Sequence, residues 1–218
     1  MKRYGNYTRK EGTRSSRLII IAAEGECTEK IYFEALRSIV QNSRVHIKML
    51  ERSEEDRHNS SPEFVLSQLV QYKDENQIAD DDELWLVIDK DRWTQKAIKI
   101  VAQRCEQDKA FHLALSNPCF ELWLLLHRVD VEAETQEEKE KLLRNAKEGR
   151  SDTYLKRKMR EQLGSYSEAN YAAGTLVCNV DDAITRAEKL DVHKRARWSK
   201  GLGTRVYKLA QSILKPSE

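Results

Sequence analysis

The chain has 218 residues, which suits one domain with additions or two small ones. Charged residues make up 34% and hydrophobic residues 39%, and the apolar residues are clustered enough to build a core. A net charge of +2 excludes any argument for nucleic acid from bulk charge, so such an argument must rest on local clusters. No apolar run approaches the ~18 residues of a membrane span, and no signal peptide is apparent. Cys27, Cys105, Cys119 and Cys178 form no C-x-x-C pair and suit no zinc module. The expectation is a soluble, cytoplasmic protein with reduced thiols, in which Cys27 is a small loop residue rather than a nucleophile.

Residues 1–16 read as a basic flexible arm, carrying Lys2, Arg3, Arg9, Lys10 and Arg14, with Arg17 close by. Arg17 to Ala23 reads as the first strand and runs into Glu24, Gly25 and Glu26. Thr28 is the predicted N-cap of a helix over 29–40, with Ile31, Leu36 and Val40 on one face. The stretch 45-VHIKML-50 alternates like a half-buried strand, and 51–62 is a polar loop. Ser61 caps a helix over 63–76 with Pro62 at its first position.

An acidic turn, 80-DDDE-83, leads into 84-LWLVIDKDRW-93. That apolar run does not alternate, so it reads as a strand buried on both faces, which favours a parallel sheet covered by helices. Asp89 stops the run and Asp91 follows. A helix over 94–108 and a strand over 111–116 complete the order β-α-β-α-β-α-β. The predicted fold is α/β: a mostly parallel four-stranded sheet flanked by helices, with right-handed connections.

Asn117 and Pro118 break the fourth strand, and 119-CFELWLLLHR-128 is a strongly apolar helix. Glu121 within it is either a site residue or an exposed position, and His127 suits the helix C-terminus as a cation. Beyond it lie helical segments at 132–141, 151–166, 179–191 and 204–215. The predicted division is the arm 1–16, an α/β domain 17–128, and a helical C-terminal extension 129–218 packed on it. Two basic clusters stand out in the extension, Lys156, Arg157, Lys158 and Arg160, and then Lys194, Arg195 and Arg197. Each is either a solvated face or a grip on nucleic-acid phosphates, with Tyr166 or Trp198 available to stack on a base.

In open α/β sheets, ligands bind beyond the carboxyl ends of the strands. If the first and third strands are parallel neighbours, Glu24, Asp89 and Asp91 converge at one edge. Carboxylates crowded there raise one another's pKa, and a divalent cation is the usual compensation.

The segments 24-EGECTEKIYFEAL-36, 87-VIDKDRW-93 and 116-SNPCFELWLLLH-127, in this order, resemble the RloB family, over about residues 17–128 with a looser match in the C-terminal helix. That family is similar to the Toprim fold, the catalytic module of topoisomerases, primases and OLD-family nucleases. The resemblance implies Mg²⁺ or Mn²⁺ held by Glu24, Asp89 and Asp91, with Glu24 as ligand or general acid/base. It implies Glu29 as a further acidic residue on the first helix and Glu121 as the later acidic member. The implied activity is metal-dependent endonucleolytic cleavage of RNA, tRNA included, or of DNA. The implied setting is a bacterial antiphage (abortive-infection) system with an ATPase partner, related to PARIS-type systems, and a homodimer is compatible with it. A catalytically silent Toprim module regulating such a complex is the alternative. A nucleotidyl transferase would need a Gly-rich phosphate loop, and Gly25 alone does not make one. The histidines at 46, 58, 112, 127 and 193 are scattered and suggest no metal-free ribonuclease site.

Overall fold

The computed structural model describes residues 16–40, 44–56, 59–149 and 152–215. The predicted arm, apart from Ser16, lies outside the described residues, as does His58. The strands are β1 (Arg17–Ala23), β2 (Val45–Met49), β3 (Glu83–Asp89), β4 (Phe111–Asn117) and β5 (Gly203–Thr204). The helices of the first half are α1 (Thr28–Ile39), α2 (Pro62–Glu75), α3 (Gln95–Glu106) and α4 (Phe120–Leu126). Those of the second half are α5 (Gln136–Arg144), α6 (Tyr154–Leu163), α7 (Ala173–Val177), α8 (Val180–Leu190) and α9 (Val206–Leu214). The sheet order is β2-β1-β3-β4-β5, parallel except for β5, which runs antiparallel to β4. The α/β architecture with four parallel strands is as the sequence predicts; the short fifth strand is an addition.

Alternation along the strands divides the interior into two layers. Ile20, Ala22, Leu84, Leu86 and Ile88 face α2 and α3. Ile19, Ile21, Ala23, Trp85 and Val87 face α1, α4 and the C-terminal helices. The second layer is the larger, because α4 is sandwiched inside it and every residue from Phe120 to Leu126 is buried. The C-terminal segment therefore covers α4 as well as lengthening the sheet. Its last helix is also tied to the amino ends of β1 and β3: Arg17 donates to Glu83 Oε1 at 3.2 Å and to the Ser212 carbonyl. Ser212 Oγ reaches both Glu83 oxygens at 2.7 and 2.8 Å. Arg17 is thus a structural cation rather than part of the basic arm.

Local signals hold in most places. Ser61 caps α2 by accepting from Phe64 N, with Pro62 first in the helix. Thr94 and Thr135 cap α3 and α5 in the same way. Thr28 departs from expectation: it is the first residue of α1, Cys27 precedes it as the cap, and the Thr28 hydroxyl donates to the Glu168 carbonyl at 3.2 Å. The α9 helix starts two residues later than predicted, because Gly203 and Thr204 are taken by β5.

His127 is not a helix-end cation. It is 2% exposed, with Nδ1 against the Trp123 carbonyl at 2.9 Å and Nε2 against Tyr32 Oη at 3.0 Å. Burial pushes its pKa down to about 4, so the ring is neutral in the fold. An unfolded histidine titrates near ~6.5, so between these values the unfolded chain binds more protons and stability rises with pH. His127→Gln should lower stability at neutral pH, and the gap to wild type should narrow by about 3 kcal/mol as pH falls from ~7 to ~4. Denaturant melts of both proteins across that range check this.

Candidate metal centre

The site forms where β1, β3 and β4 end together. β1 pairs with β3 up to Ala23↔Val87, and β3 with β4 up to Asp89↔Ser116. The chain leaves β1 into Glu24, whose carboxylate crosses to the end of β3. Its Oε2 accepts from Asp89 N at 3.1 Å and from Trp93 Nε1 at 2.8 Å. Arg92, with its side chain 67% exposed, stands 3.9 Å from the other oxygen. Glu24 is 5% exposed, and burial raises its pKa against the pull of Trp93, the Asp89 amide and Arg92.

Glu29 lies in the first turn of α1 and is 4% exposed. Its Oε1 accepts from Gly25 N at 3.2 Å. A Cβ on Gly25 would lie 2.0 Å from Glu29 Oε2, so only glycine lets this carboxylate fold back under the strand end. Burial, then the charges of Glu121 and Glu24, raise the Glu29 pKa to about 7.

Glu121 lies in the first turn of α4, and the turn points its carboxylate into the same cleft. It is 6% exposed, and Tyr166 Oη donates to its Oε1 at 3.2 Å. Of the two sequence alternatives for Glu121, burial excludes the exposed position. Tyr166, read from sequence as a base-stacking residue, is instead buried behind Glu121.

Asp89 is the centre of the group. Ligand atoms of Asp89, Glu121 and Cys119 all lie within 4.8 Å of one another. Among the described residues no group donates a hydrogen bond to the Asp89 carboxylate. Burial and the charges of Glu29, Glu24, Glu121 and Asp91 hold its pKa well above the ordinary range. Asp91 is further out and exposed. Partial burial raises its pKa, with Arg92 opposing and Glu121 adding to the rise. The loop between the two aspartates is pinned by the Pro118 carbonyl, which accepts from Lys90 N at 3.0 Å and Asp91 N at 3.1 Å.

Two contributors, Cys119 and Asn145, had no signal in the sequence, and a third, Lys156, stood there only as part of a basic cluster. Cys119 is buried, and burial plus the neighbouring carboxylates push its thiol pKa well up, so it is protonated in the metal-free protein. Asn145 takes the left-handed position after α5, at φ 42°. It donates to Cys119 Sγ at 3.4 Å and accepts from Leu155 N at 3.0 Å, which joins the starts of α4 and α6. Lys156 pairs with Glu168 at 2.7 Å, and although burial opposes its charge, Glu168 and Glu121 raise its pKa. That places Lys156 at the rim of the carboxylate cleft rather than on an open helix face. The cleft, of about 310 Å³, is lined by Glu24, Glu29, Asp89, Glu121, Arg52 and Arg92. Arg52 holds the Ala23 carbonyl at 2.9 Å and the Glu24 carbonyl, fixing the turn that carries Glu24.

The donor set fits a hard divalent cation. Asp89 and Glu121 offer carboxylate oxygens beside the Cys119 thiol, Glu29 offers its own from the cleft wall, and the lack of any donor to Asp89 leaves its oxygens available. Glu24 belongs to the site, but one of its oxygens is already taken by two donors, so it frames the centre more than it fills it. Two ionised carboxylates at the 4.8 Å limit of the group would repel by about 3 kcal/mol at an effective dielectric of ~20.

Two melting measurements follow from this. Acids whose folded pKa is raised cost stability as pH climbs through that pKa, so Asp89→Asn should stabilise the metal-free protein by ~1–2 kcal/mol at pH 8, about 2–8 °C. In wild type, Mn²⁺ at ~100 times its Kd should raise stability by about 2.7 kcal/mol, and Asp89→Asn should remove most of that gain. Thermal melts with and without Mn²⁺ read both effects.

Among the described residues no helix is long and apolar enough to cross a membrane, and all four cysteines are free. No curated protein matches the chain in sequence, and no solved structure matches it. The family model for RloB-like protein matches residues 19–213, from the first strand to the last helix and through every carboxylate of the cleft, and the chain belongs to the RloB-like family.

Proposed function

We propose that this protein is a Toprim-type, metal-dependent endonuclease that hydrolyses phosphodiester bonds, with RNA, tRNA included, as the first substrate class and DNA as the second. We place it in the cytoplasm, as the effector of an antiphage system working with an ATPase partner. One observation carries the enzymatic reading: Glu24 and Glu29 after β1, Asp89 at the end of β3 and Glu121 in α4 come from three separate parts of the chain into one cleft. The pKa values of Glu24, Glu29 and Asp89 are all raised there. Such an arrangement costs stability unless a cation occupies it, and four parallel strands ending at one edge are what the Toprim resemblance implies. The setting with an ATPase comes from the family resemblance alone.

Bound Mg²⁺ or Mn²⁺ supplies Lewis-acid polarisation of the scissile phosphate. Asp89, Glu121 and Glu29 are the residues to hold it. Glu24 is anchored through Oε2, which leaves Oε1, facing Arg92, as the oxygen placed to hold or release a proton. Arg92 at the mouth is the cation placed to meet phosphate oxygens, and Lys156 at the rim is held by Glu168. Asp91 sits outside this inner group, where it shapes the rim and orients Arg92.

Incubation with total tRNA and with plasmid DNA is expected to show cleavage of one of them in Mn²⁺ or Mg²⁺ and none in EDTA. Asp89→Ala and Glu121→Ala should each lower the rate on the order of 100-fold or more. Full cleavage by Asp89→Ala would overturn the assignment. Calorimetric Mn²⁺ binding with no cleavage of either substrate would favour the silent regulatory module instead.

A further inference from the structure

The two basic clusters differ in a way their sequences do not show. On α6 every cation is already paired: Lys156 with Glu168 at 2.7 Å, Arg157 with Glu148 at 2.7 Å, Lys158 with Glu138 at 2.8 Å, and Arg160 with Asp152 at 2.6 Å. In the loop 192–201 only Arg197 is paired among the described residues, with Glu106 at 2.9 Å. Lys194, Arg195 and Lys200 are exposed.

This loop is held in one shape from beneath. Asp191 ends α8 at 2% exposure, and Arg205 precedes α9 at 5%. Arg205 Nε donates to Asp191 Oδ2 at 3.1 Å and Nη2 to Oδ1 at 3.2 Å. The same guanidinium holds the loop carbonyls of His193 at 3.1 Å and of Ala196. Tyr207 Oη and Ser199 Oγ complete the surroundings of Asp191 at 3.0 and 3.4 Å. The Asn117 amide holds the Lys200 and Gly201 carbonyls at 3.0 and 2.6 Å. Trp198 packs on the layer shared with α2 and α3, so it anchors the loop. A buried ion pair gives little net stability, because desolvation offsets its attraction. What it gives here is a fixed backbone path for a run of exposed cations.

The loop also lies on the edge of the sheet that carries the carboxylates. Ser116 pairs with Asp89 on one side and with Thr204 on the other. Positive charge gathers behind the loop as well: burial, Arg205 and Lys194 lower the pKa of Lys208.

We propose that loop 192–201 is the phosphate-gripping surface for a nucleic-acid strand, through Lys194, Arg195 and Lys200, with Asp191 and Arg205 as positioning residues. The identity of the ligand rests on the nuclease reading. The chemistry recognised is the phosphodiester backbone, so RNA and DNA are separate arms of the test.

Fluorescence anisotropy with a labelled RNA hairpin and a labelled DNA duplex, both in EDTA, reads binding without the metal centre. The triple variant Lys194→Ala/Arg195→Ala/Lys200→Ala should bind at least tenfold more weakly, with the salt slope of log K reduced by about 2 to 3. Arg157→Ala/Arg160→Ala on α6 should bind like wild type. Asp191→Asn removes a negative charge, so bulk electrostatics predicts tighter binding, whereas loss of loop geometry predicts weaker binding. The last variant counts only if circular dichroism shows it folded; the triple variant, confined to exposed side chains, decides the question otherwise. Binding of neither probe by wild type, or equal binding by the triple variant, overturns the proposal. Neither outcome touches the cleavage and Mn²⁺ readouts of the metal centre.

Discussion

Mutual repulsion among buried carboxylates is the constraint around which this molecule is arranged. Four acids meet where three parallel strands end, and the surroundings give them few donors: two to Glu24, one backbone amide to Glu29 and one tyrosine to Glu121. Each donor fixes a carboxylate without neutralising the group. Gly25 lets Glu29 turn under the strand end, Arg52 holds the turn that carries Glu24, and Asn145 ties the start of α4 to the start of α6. The scaffold's polar contacts keep negative charge together at a cost in stability, and carboxylates perturbed in this way cluster at functional sites.

The same constraint explains the C-terminal half. An apolar helix carrying Glu121 into the cleft must itself be buried, and the first half of the chain cannot cover both sides of α4. Helices α6 and α8 do so, with α9 packed on α8 and β4, and Tyr166, Tyr171 and Lys156 arrive at the cleft with them. Tyr171 Oη donates to the Thr28 carbonyl at 2.8 Å, so the later segment also supports the start of α1. Core and site are therefore completed by the same residues.

How much of this the sequence disclosed depends on whether the signal was local. The parallel strands were legible because short apolar runs alternate with helical stretches, the central run without a polar alternation, and Ser61 with Pro62 announced α2. Glu24, Asp89 and Asp91 could be named because each follows its strand directly, though Asp91 lies further out than its spacing suggested. Glu121 stayed open between two readings, since one charged residue in an apolar helix is the same in sequence whether it faces water or a buried cleft. Cys119 and Asn145, and the inward places of Tyr166 and Lys156, were hidden for a different reason. Their places are set by contacts across tens of residues, and neither periodicity nor capping reports those. His127 was misread because its charge depends on burial beneath Tyr32 and Trp123 rather than on its place at a helix end.

The pairing of β4 with both β3 and β5 acts as a ruler. Asp89, Ser116 and Thr204 stand in one row across the sheet, so two interstrand spacings, about 10 Å in all, separate the end of β3 from β5, the strand that follows the cationic loop. Hydrogen bonds of a sheet do not stretch, so this separation is part of the fold. A polynucleotide seated on the loop would thus meet the carboxylates at a set number of nucleotides from its point of attachment, whatever its sequence. Positional choice of the bond would then reside in the sheet, and choice among molecules would be left to the shape of the nucleic acid and to whatever else binds this chain.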